Sequence, residues 1–298
     1  MLPDPIISFS LFGRDIEIYM YGICIAVGLI CCLLTFYALT KKRKMPNELQ
    51  DFIFFMMILG VATGFLFAKL FQAIYVWADT KVFDFKGAGL TVMGGLIGGA
   101  SCFLLFYFLI GHFYFKGKKK QNLHIKHFST LIAVAPICIC VAHGFGRIGC
   151  LMSGCCHGAL LGETYVVGGI RMHGTQGWGY YVPIQLYESL FLFVLAGVLT
   201  LLYFKRSNYN MSAYLIGYAI WRFIIEIFRT DYRGGSDAVS LSPSQVQAIV
   251  FVALGVAIII LYLILKIPFL VKKEESVEKV TKELSDKVAK EKNKEVVK

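Results

Sequence analysis

Two stretches of this chain combine residue types that can do chemistry with surroundings in which such residues are costly. In Tyr218-Ala219-Ile220-Trp221-Arg222-Phe223-Ile224-Ile225-Glu226 the arginine and the glutamate stand four apart, so they share one face of a helix with Tyr218. Arg229 follows one turn on, and Tyr187-Glu188 supplies another polar pair upstream. All of them sit in apolar sequence. A lone charge in hydrocarbon costs from about 3 to more than 10 kcal/mol, so these groups must pair and face a protein interior or a wet cavity. A buried Arg222–Glu226 pair that only locks helix packing is the plainer reading. Ion pairs are poor stabilisers, however, and the polar groups here outnumber what one lock requires. A guanidinium forks onto a phosphate through two parallel N–H bonds, which suits the stripe to an anionic lipid headgroup.

The second stretch is His143-Gly144-Phe145-Gly146-Arg147-Ile148-Gly149-Cys150, running on through Ser153-Gly154-Cys155-Cys156-His157-Gly158. It closes a long apolar segment with a buried-looking arginine, glycines and clustered thiols, none of which a membrane anchor needs. Of the nine cysteines, Cys24, Cys31, Cys32, Cys102, Cys138 and Cys140 lie inside apolar runs, where cysteine behaves as a small hydrophobe. Cys150, Cys155 and Cys156 are expected in a glycine-rich turn at a helix end with His157. Their spacing fits neither paired C-x-x-C knuckles nor a helical His-x-x-x-His pair. No metal and no cofactor is therefore assigned, and a structural or redox-reactive role ranks first. A disulfide is permitted if the turn faces outward, although adjacent Cys155 and Cys156 do not readily bridge to each other.

The elements that must position these residues are membrane-spanning helices. Hydrophobic residues make up 57% of the 298 and charged ones 16%, against about 25% charged in globular chains. About seven apolar runs reach the ~20 residues needed to cross a hydrocarbon core, at roughly 16–39, 52–77, 89–115, 128–146, 184–204, 211–229 and 245–270. The fold class is all-α, a polytopic membrane protein. Lys41-Lys42-Arg43-Lys44, Lys116 to Lys120, Lys205-Arg206 and Lys272-Lys273 fall on one side of alternating spans. Loops near 78–88, 147–183 and 230–243 fall on the other. Basic loops stay cytoplasmic, which places the N-terminus outside and the C-terminus inside. Asp4, Asp15 and Glu17, with no basic start, argue against a cleaved signal peptide. The net charge of +11 is then a topology signal with a secondary attraction to anionic headgroups, not a nucleic-acid footprint. Residues 1–271 read as one transmembrane domain and 272–298 as a charged, solvated cytoplasmic tail. Gly94-Gly95 and Gly98-Gly99 put small residues every three to four positions in the third span, a pattern whose first meaning is close helix packing.

Taken together, Tyr21-Gly22, Gly94-Gly95-Leu96-Ile97-Gly98, Gly146-Arg147-Ile148-Gly149 with Gly154 and Gly158, Pro183 through Glu188, and Tyr218 through Arg229 resemble the bacterial prolipoprotein diacylglyceryl transferase family in order and spacing. The resemblance covers about Tyr21 to Gln245. It implies a seven-helix enzyme of the bacterial inner membrane that moves a diacylglyceryl group from phosphatidylglycerol to the lipobox cysteine of a prolipoprotein signal peptide. The products are a thioether and glycerol 1-phosphate. By resemblance Arg147 binds the lipid phosphate, Arg222 stabilises the leaving charge, Glu226 orients Arg222, Tyr218 donates a hydrogen bond and Tyr21 lines the lipid cavity. Gly94, Gly95, Gly149 and Gly154 join the substrate-binding set.

The chain departs from the family pattern at several places. Met93 replaces the histidine of His-Gly-Gly, Cys150 and Ser153 replace asparagines, Cys155 replaces a glutamate, and Val182 replaces the histidine before Pro183. Proton chemistry then falls to another base, Glu226, His143 or His157, or to the thiols. Two other classes remain open on residues alone: a lipid-headgroup binder or transporter without chemistry, and a thiol-redox or metal-binding membrane protein built on Cys150 to His157.

Overall fold

The computed structural model describes residues 4–11, 14–85, 87, 89, 91–117, 122–174, 176–205, 209–229 and 242–264. The charged tail assigned to 272–298, Lys118 to Lys120 and most of the 230–243 loop lie outside them. The elements run β1 (Ile7–Leu11), β2 (Arg14–Ile18), α1 (Met20–Lys42), α2 (Asn47–Thr80), α3 (Val92–Tyr114), α4 (Leu123–Lys126), α5 (Phe128–Ser153), β3 (Leu160–Gly162), β4 (Ile170–Gly174), β5 (Gly177–Tyr181), α6 (Ile184–Phe204), α7 (Asn210–Ile227) and α8 (Pro243–Ile264). Among the described residues, six helices are long and apolar enough to cross a membrane. The expected sixth span, α7, is not one of them. Its 18 residues include Asn210, Arg222 and Glu226, so the residues that make it chemically interesting also lower its hydropathy.

The protein is mostly helical, with two small sheets that the all-α reading does not anticipate. A hairpin pairs β1 with β2 from Ile7 opposite Ile18 to Leu11 opposite Arg14, which is why the first helix begins at Met20 and not near residue 16. Between α5 and α6 a three-stranded sheet of order β3-β5-β4 buries Met172 and Tyr181 against Leu151 at the end of α5.

The chain divides into two compact units, one of Met1–Ala38 with Ser129–Lys298 and one of Leu39–Phe128. In the second unit α2 and α3 meet along glycines. A Cβ on Gly94 would lie 2.7 Å from the Phe67 carbonyl oxygen, and one on Gly99 would lie 3.1 Å from that of Gly60. Only hydrogen fits at such a seam, the small-residue packing that the third span's spacing predicts. Tyr107 donates to the His124 carbonyl at 2.6 Å, its ring packs against those of Phe52 and His124, and Phe115 packs against the same two rings.

In the first unit α5 is the central helix: 56% of its apolar window is buried, against 11–33% for the other five apolar helices. Hydration is replaced by side chains, not lipid, along most of its length. The sequence ends this helix near 146, yet it continues to Ser153 through Gly144, Gly146 and Gly149. A glycine costs about 1 kcal/mol in a helix, and tertiary packing offsets it here. A Cβ on Gly144 would strike the Phe193 ring of α6 at 2.8 Å, and one on Gly149 would stand 3.0 Å from the Tyr21 ring of α1. Ser189 of α6 donates to the Gly144 carbonyl at 3.0 Å, and Asn210 donates to the carbonyls of Ala133 and Leu199 at 3.0 and 3.1 Å. Phe191 stacks on Trp221 with centroids 4.5 Å apart. These contacts bring the polar faces of α5, α6 and α7 together.

Candidate active site

Extension of α5 places His143 and Arg147 four apart on one helical face, and both reach toward α6. The group they meet is Glu188, a side chain with no solvent exposure. Its Oε2 lies 3.1 Å from Arg147 Nε and 3.5 Å from Arg222 Nη1, ion-pair contacts whose geometry does not make hydrogen bonds. Its Oε1 accepts from the Tyr218 hydroxyl at 3.1 Å and stands 4.0 Å from His143 Nε2. Arg147 Nε also donates to His143 Nε2 at 3.3 Å. Glu188 is thus the hub that joins three helices, and the sequence offers only the Tyr187-Glu188 pair as a hint of it.

Arg222 is bound on a second side. Its Nη2 lies 2.9 Å from Glu226 Oε2, the i,i+4 pair that the sequence predicts, and donates to Ser244 Oγ at 2.9 Å. Ser242 donates to Glu226 Oε1 at 3.1 Å, and Arg229 Nε stands 3.9 Å from Glu226 Oε2. Ser242 immediately precedes α8 and Ser244 lies in its first turn, and neither carries a periodic signal that would mark it in advance. Among the described residues, Arg147 and Arg222 therefore converge on Glu188, and Arg222 and Arg229 on Glu226. Two buried guanidinium groups thus share the single carboxylate of Glu188, and Nη1 of Arg222 makes no hydrogen bond among the described residues. A buried donor without an acceptor is costly, and an anion at this point supplies one.

Tyr218, Arg222, Glu226 and Arg147 of the expected site are thus gathered in one cluster. Tyr21 is 42% exposed and packs at the point where Gly149 lets α1 approach α5. Gly154 has φ +72° and lies where a Cβ would meet the His173 carbonyl oxygen at 2.8 Å. Its glycine is set by the chain's left-handed turn and the adjacent backbone. Gly94 and Gly95 belong to the second unit, in the α2–α3 seam. Gly158 forms a bridge with Arg229, and a Cβ there would meet the Phe228 carbonyl oxygen at 3.0 Å, so the end of α7 is fixed against the segment after α5.

The thiols also converge. Cys150 is helical, within the last turn of α5, whereas Cys155 and Cys156 lie beyond it. Their sulfurs lie within 4.8 Å of one another and of that of Cys150. Cys155, outside the membrane-spanning segments, has its thiol held above the ordinary range: hydrogen bonding to Cys150 pulls it down, while hydrogen bonding to Cys156 and lost hydration push it up and prevail. His157, expected in the same turn, is buried with Nδ1 2.8 Å from the Gly158 carbonyl oxygen and its ring 4.2 Å from that of Tyr181.

Fold and site together define a polytopic helical membrane protein with a buried cluster of arginines around two carboxylates. The family model for prolipoprotein diacylglyceryl transferase matches residues 7–261. The chain is 30% identical over 270 residues to the phosphatidylglycerol–prolipoprotein diacylglyceryl transferase of Clostridium tetani, covering 84% of this chain and 94% of that protein. It is 32% identical over 263 residues to phosphatidylglycerol–prolipoprotein diacylglyceryl transferase 2 of Clostridium perfringens, covering 84% and 92%. A third relative, the corresponding enzyme of Clostridioides difficile, is 33% identical over 233 residues, covering 76% and 83%. This chain belongs to the prolipoprotein diacylglyceryl transferase family.

Proposed function

We propose that this protein transfers the diacylglyceryl group of phosphatidylglycerol to the thiol of a prolipoprotein's lipobox cysteine. The observation that carries the reading is the convergence of two buried guanidinium groups, Arg147 and Arg222, on the single carboxylate of Glu188, with Nη1 of Arg222 making no hydrogen bond among the described residues. A phosphodiester headgroup carries one negative charge and offers oxygens to both arginines. As the glyceryl C–O bond breaks, a second negative charge develops on the departing glycerol phosphate, and fixed N–H donors stabilise it most in a site that excludes water.

Arg147 grips the phosphate and Arg222 meets the developing charge. Glu226 and Ser244 fix the Arg222 fork, and Glu188, with Tyr218 hydrogen-bonded to it, sets the distance between the two guanidinium groups. Tyr21 and Gly149 shape the acyl side, and Gly154 retains the substrate-binding role that family resemblance gives it. The domain runs through residue 271 and the 272–298 tail is cytoplasmic. The chain sits in the bacterial cytoplasmic membrane with its N-terminus outside, as the distribution of lysine and arginine favours.

Purified protein in vesicles containing phosphatidylglycerol should convert a lipobox peptide to its diacylglyceryl thioether and release an equal amount of glycerol phosphate. The same peptide with serine in place of cysteine should be inert. Headgroup binding without glycerol phosphate release would overturn the reading in favour of a lipid carrier.

A further inference from the structure

The turn after α5 gathers three sulfurs that sequence spacing keeps apart. Cys150 points from the last helical turn, and the chain then folds back through Gly154 at φ +72° and Cys156 at φ +61°. A left-handed conformation is disfavoured for a residue with a Cβ, and persists only where the surroundings hold it. Here they do: Gln185, fully buried on α6, donates to the Cys155 carbonyl at 2.5 Å, the Cys155 amide donates to the Cys150 carbonyl at 3.1 Å, and the Gly158 amide donates to the Val182 carbonyl at 2.9 Å. Three contacts on three sides fix the turn.

Zn–S bonds of about 2.3 Å at tetrahedral angles set sulfurs about 3.8 Å apart, and these three already lie within 4.8 Å of one another. The cluster contains no histidine or carboxylate, and Cys155 is exposed while the other two are partly buried, so the set has an open side. Three protein ligands and a free position are the pattern of a zinc site that binds substrate. The cluster also borders the phosphate-binding region: Arg147 is within electrostatic range of Cys150 and Cys156, and Tyr21 is within range of all three thiols and of Arg147.

We propose that Cys150, Cys155 and Cys156 bind a zinc ion whose fourth position takes the thiol of the acceptor cysteine; this rests on the transferase reading above. On binding, the three cysteines release their protons to solvent. The acceptor thiol, coordinated in turn, loses its proton to solvent and is held as a thiolate. Its sulfur then forms a bond to the glyceryl carbon while the carbon–oxygen bond to phosphate breaks, the electron pair leaving with glycerol phosphate. The thioether, a weaker ligand than thiolate, departs and reopens the position. Arg147 balances the negative charge of the zinc–thiolate group.

The test uses the full-length protein, purified in detergent under reducing conditions and stripped of metal. Titration with Zn2+ against a chromophoric chelator should give one ion per chain, and Cys150→Ser, Cys155→Ser and Cys156→Ser should each weaken binding at least about tenfold while monodispersity is kept. With Co2+ in place of zinc, a lipobox peptide should strengthen the sulfur-to-metal charge-transfer band, and its serine counterpart should not. Failure to bind stoichiometric metal, retention of metal by the triple serine variant, or a band unchanged by the cysteine peptide would each overturn the proposal. A band that responds in a protein that never releases glycerol phosphate supports the metal site and overturns the transferase reading instead.

Discussion

The α2–α3 pair and the α5–α6–α7 group are both built from apolar helices rich in glycine, yet they use close approach for different ends. Between α2 and α3, Gly60 and Gly64 lie against Gly99 and Gly95, while Gly94 and Gly98 seat Phe71 and Phe67. The gain is van der Waals contact along a continuous seam. Along α5, Gly144 and Gly149 likewise seat large side chains, Phe193 and Tyr21. Between them the polar face of the same helix delivers His143 and Arg147 to Glu188. One seam fixes two helices, whereas the other brings charges from three helices together where water is scarce. Glycine spacing alone therefore says that helices approach closely, and it is the residue on the adjoining face that says why.

If that contrast is right, substitutions in the two regions should fail in different ways. The largest effect belongs to the arginines. Arg222→Ala and Arg147→Ala should each lower transfer about a hundredfold or more, since a lost charge-assisted donor is worth about 3 kcal/mol at the transition state. Inserted, monodisperse protein should still be recovered, and a mutant that transfers at the wild-type rate would dissolve the distinction. Glu188→Gln comes next and should damage both properties. It leaves Arg147 and Arg222 around a neutral amide, and removing one partner of a buried ion pair costs about 3 kcal/mol or more. The thermal midpoint and the turnover should fall together.

A change in the glycine seam should be smaller and purely structural. Gly64→Val places a Cβ 3.2 Å from the Gly95 carbonyl oxygen and 3.4 Å from the Gly99 Cα, both backbone atoms with little freedom to yield. Overpacking of this kind costs about 1–3 kcal/mol, read as a lower unfolding midpoint with transfer per folded molecule unchanged. The smallest effect is one of pH. Burial, and to a lesser degree the nearby His112, hold His124 below its ordinary value of 6.5. Burial and Lys126 do the same to His127. The unfolded chain then binds more protons than the folded one just below pH 6.5, so stability should decline as pH falls through that value. His124→Gln should flatten the decline, monitored by thermal unfolding between about pH 7.5 and about pH 5.5.

The sequence makes the functional stripe on α7 legible, because Tyr218, Arg222 and Glu226 repeat at helical spacing and are conspicuous among apolar neighbours. The α2–α3 packing is legible for the same reason, being a local pattern of small residues. What periodicity does not encode is convergence. Glu188 is isolated on its own helix, and its importance appears only when Arg147, 41 positions earlier, and Arg222, 34 positions later, arrive on either side. Ser242 and Ser244 precede an ordinary apolar run. The thiol cluster escapes spacing rules because Cys150 belongs to the helix and Cys155 and Cys156 to the turn that reverses over it. The glycines that suggest an early end to α5 are its contact points, and the low hydropathy of α7 reflects the charges it carries.

The central claim is that the charge cluster serves an anionic substrate and not packing. A quadruple variant, Arg147→Met with Glu188→Leu, Arg222→Met and Glu226→Gln, tests it most directly, with unfolding midpoint and peptide diacylglyceryl transfer measured on one preparation in phosphatidylglycerol vesicles. Apolar replacement of a buried ion cluster is often neutral or stabilising, so the account predicts an unchanged or higher midpoint with transfer reduced to background. A variant that no longer folds would make the cluster a packing lock, and one that still transfers the lipid would place the active site elsewhere.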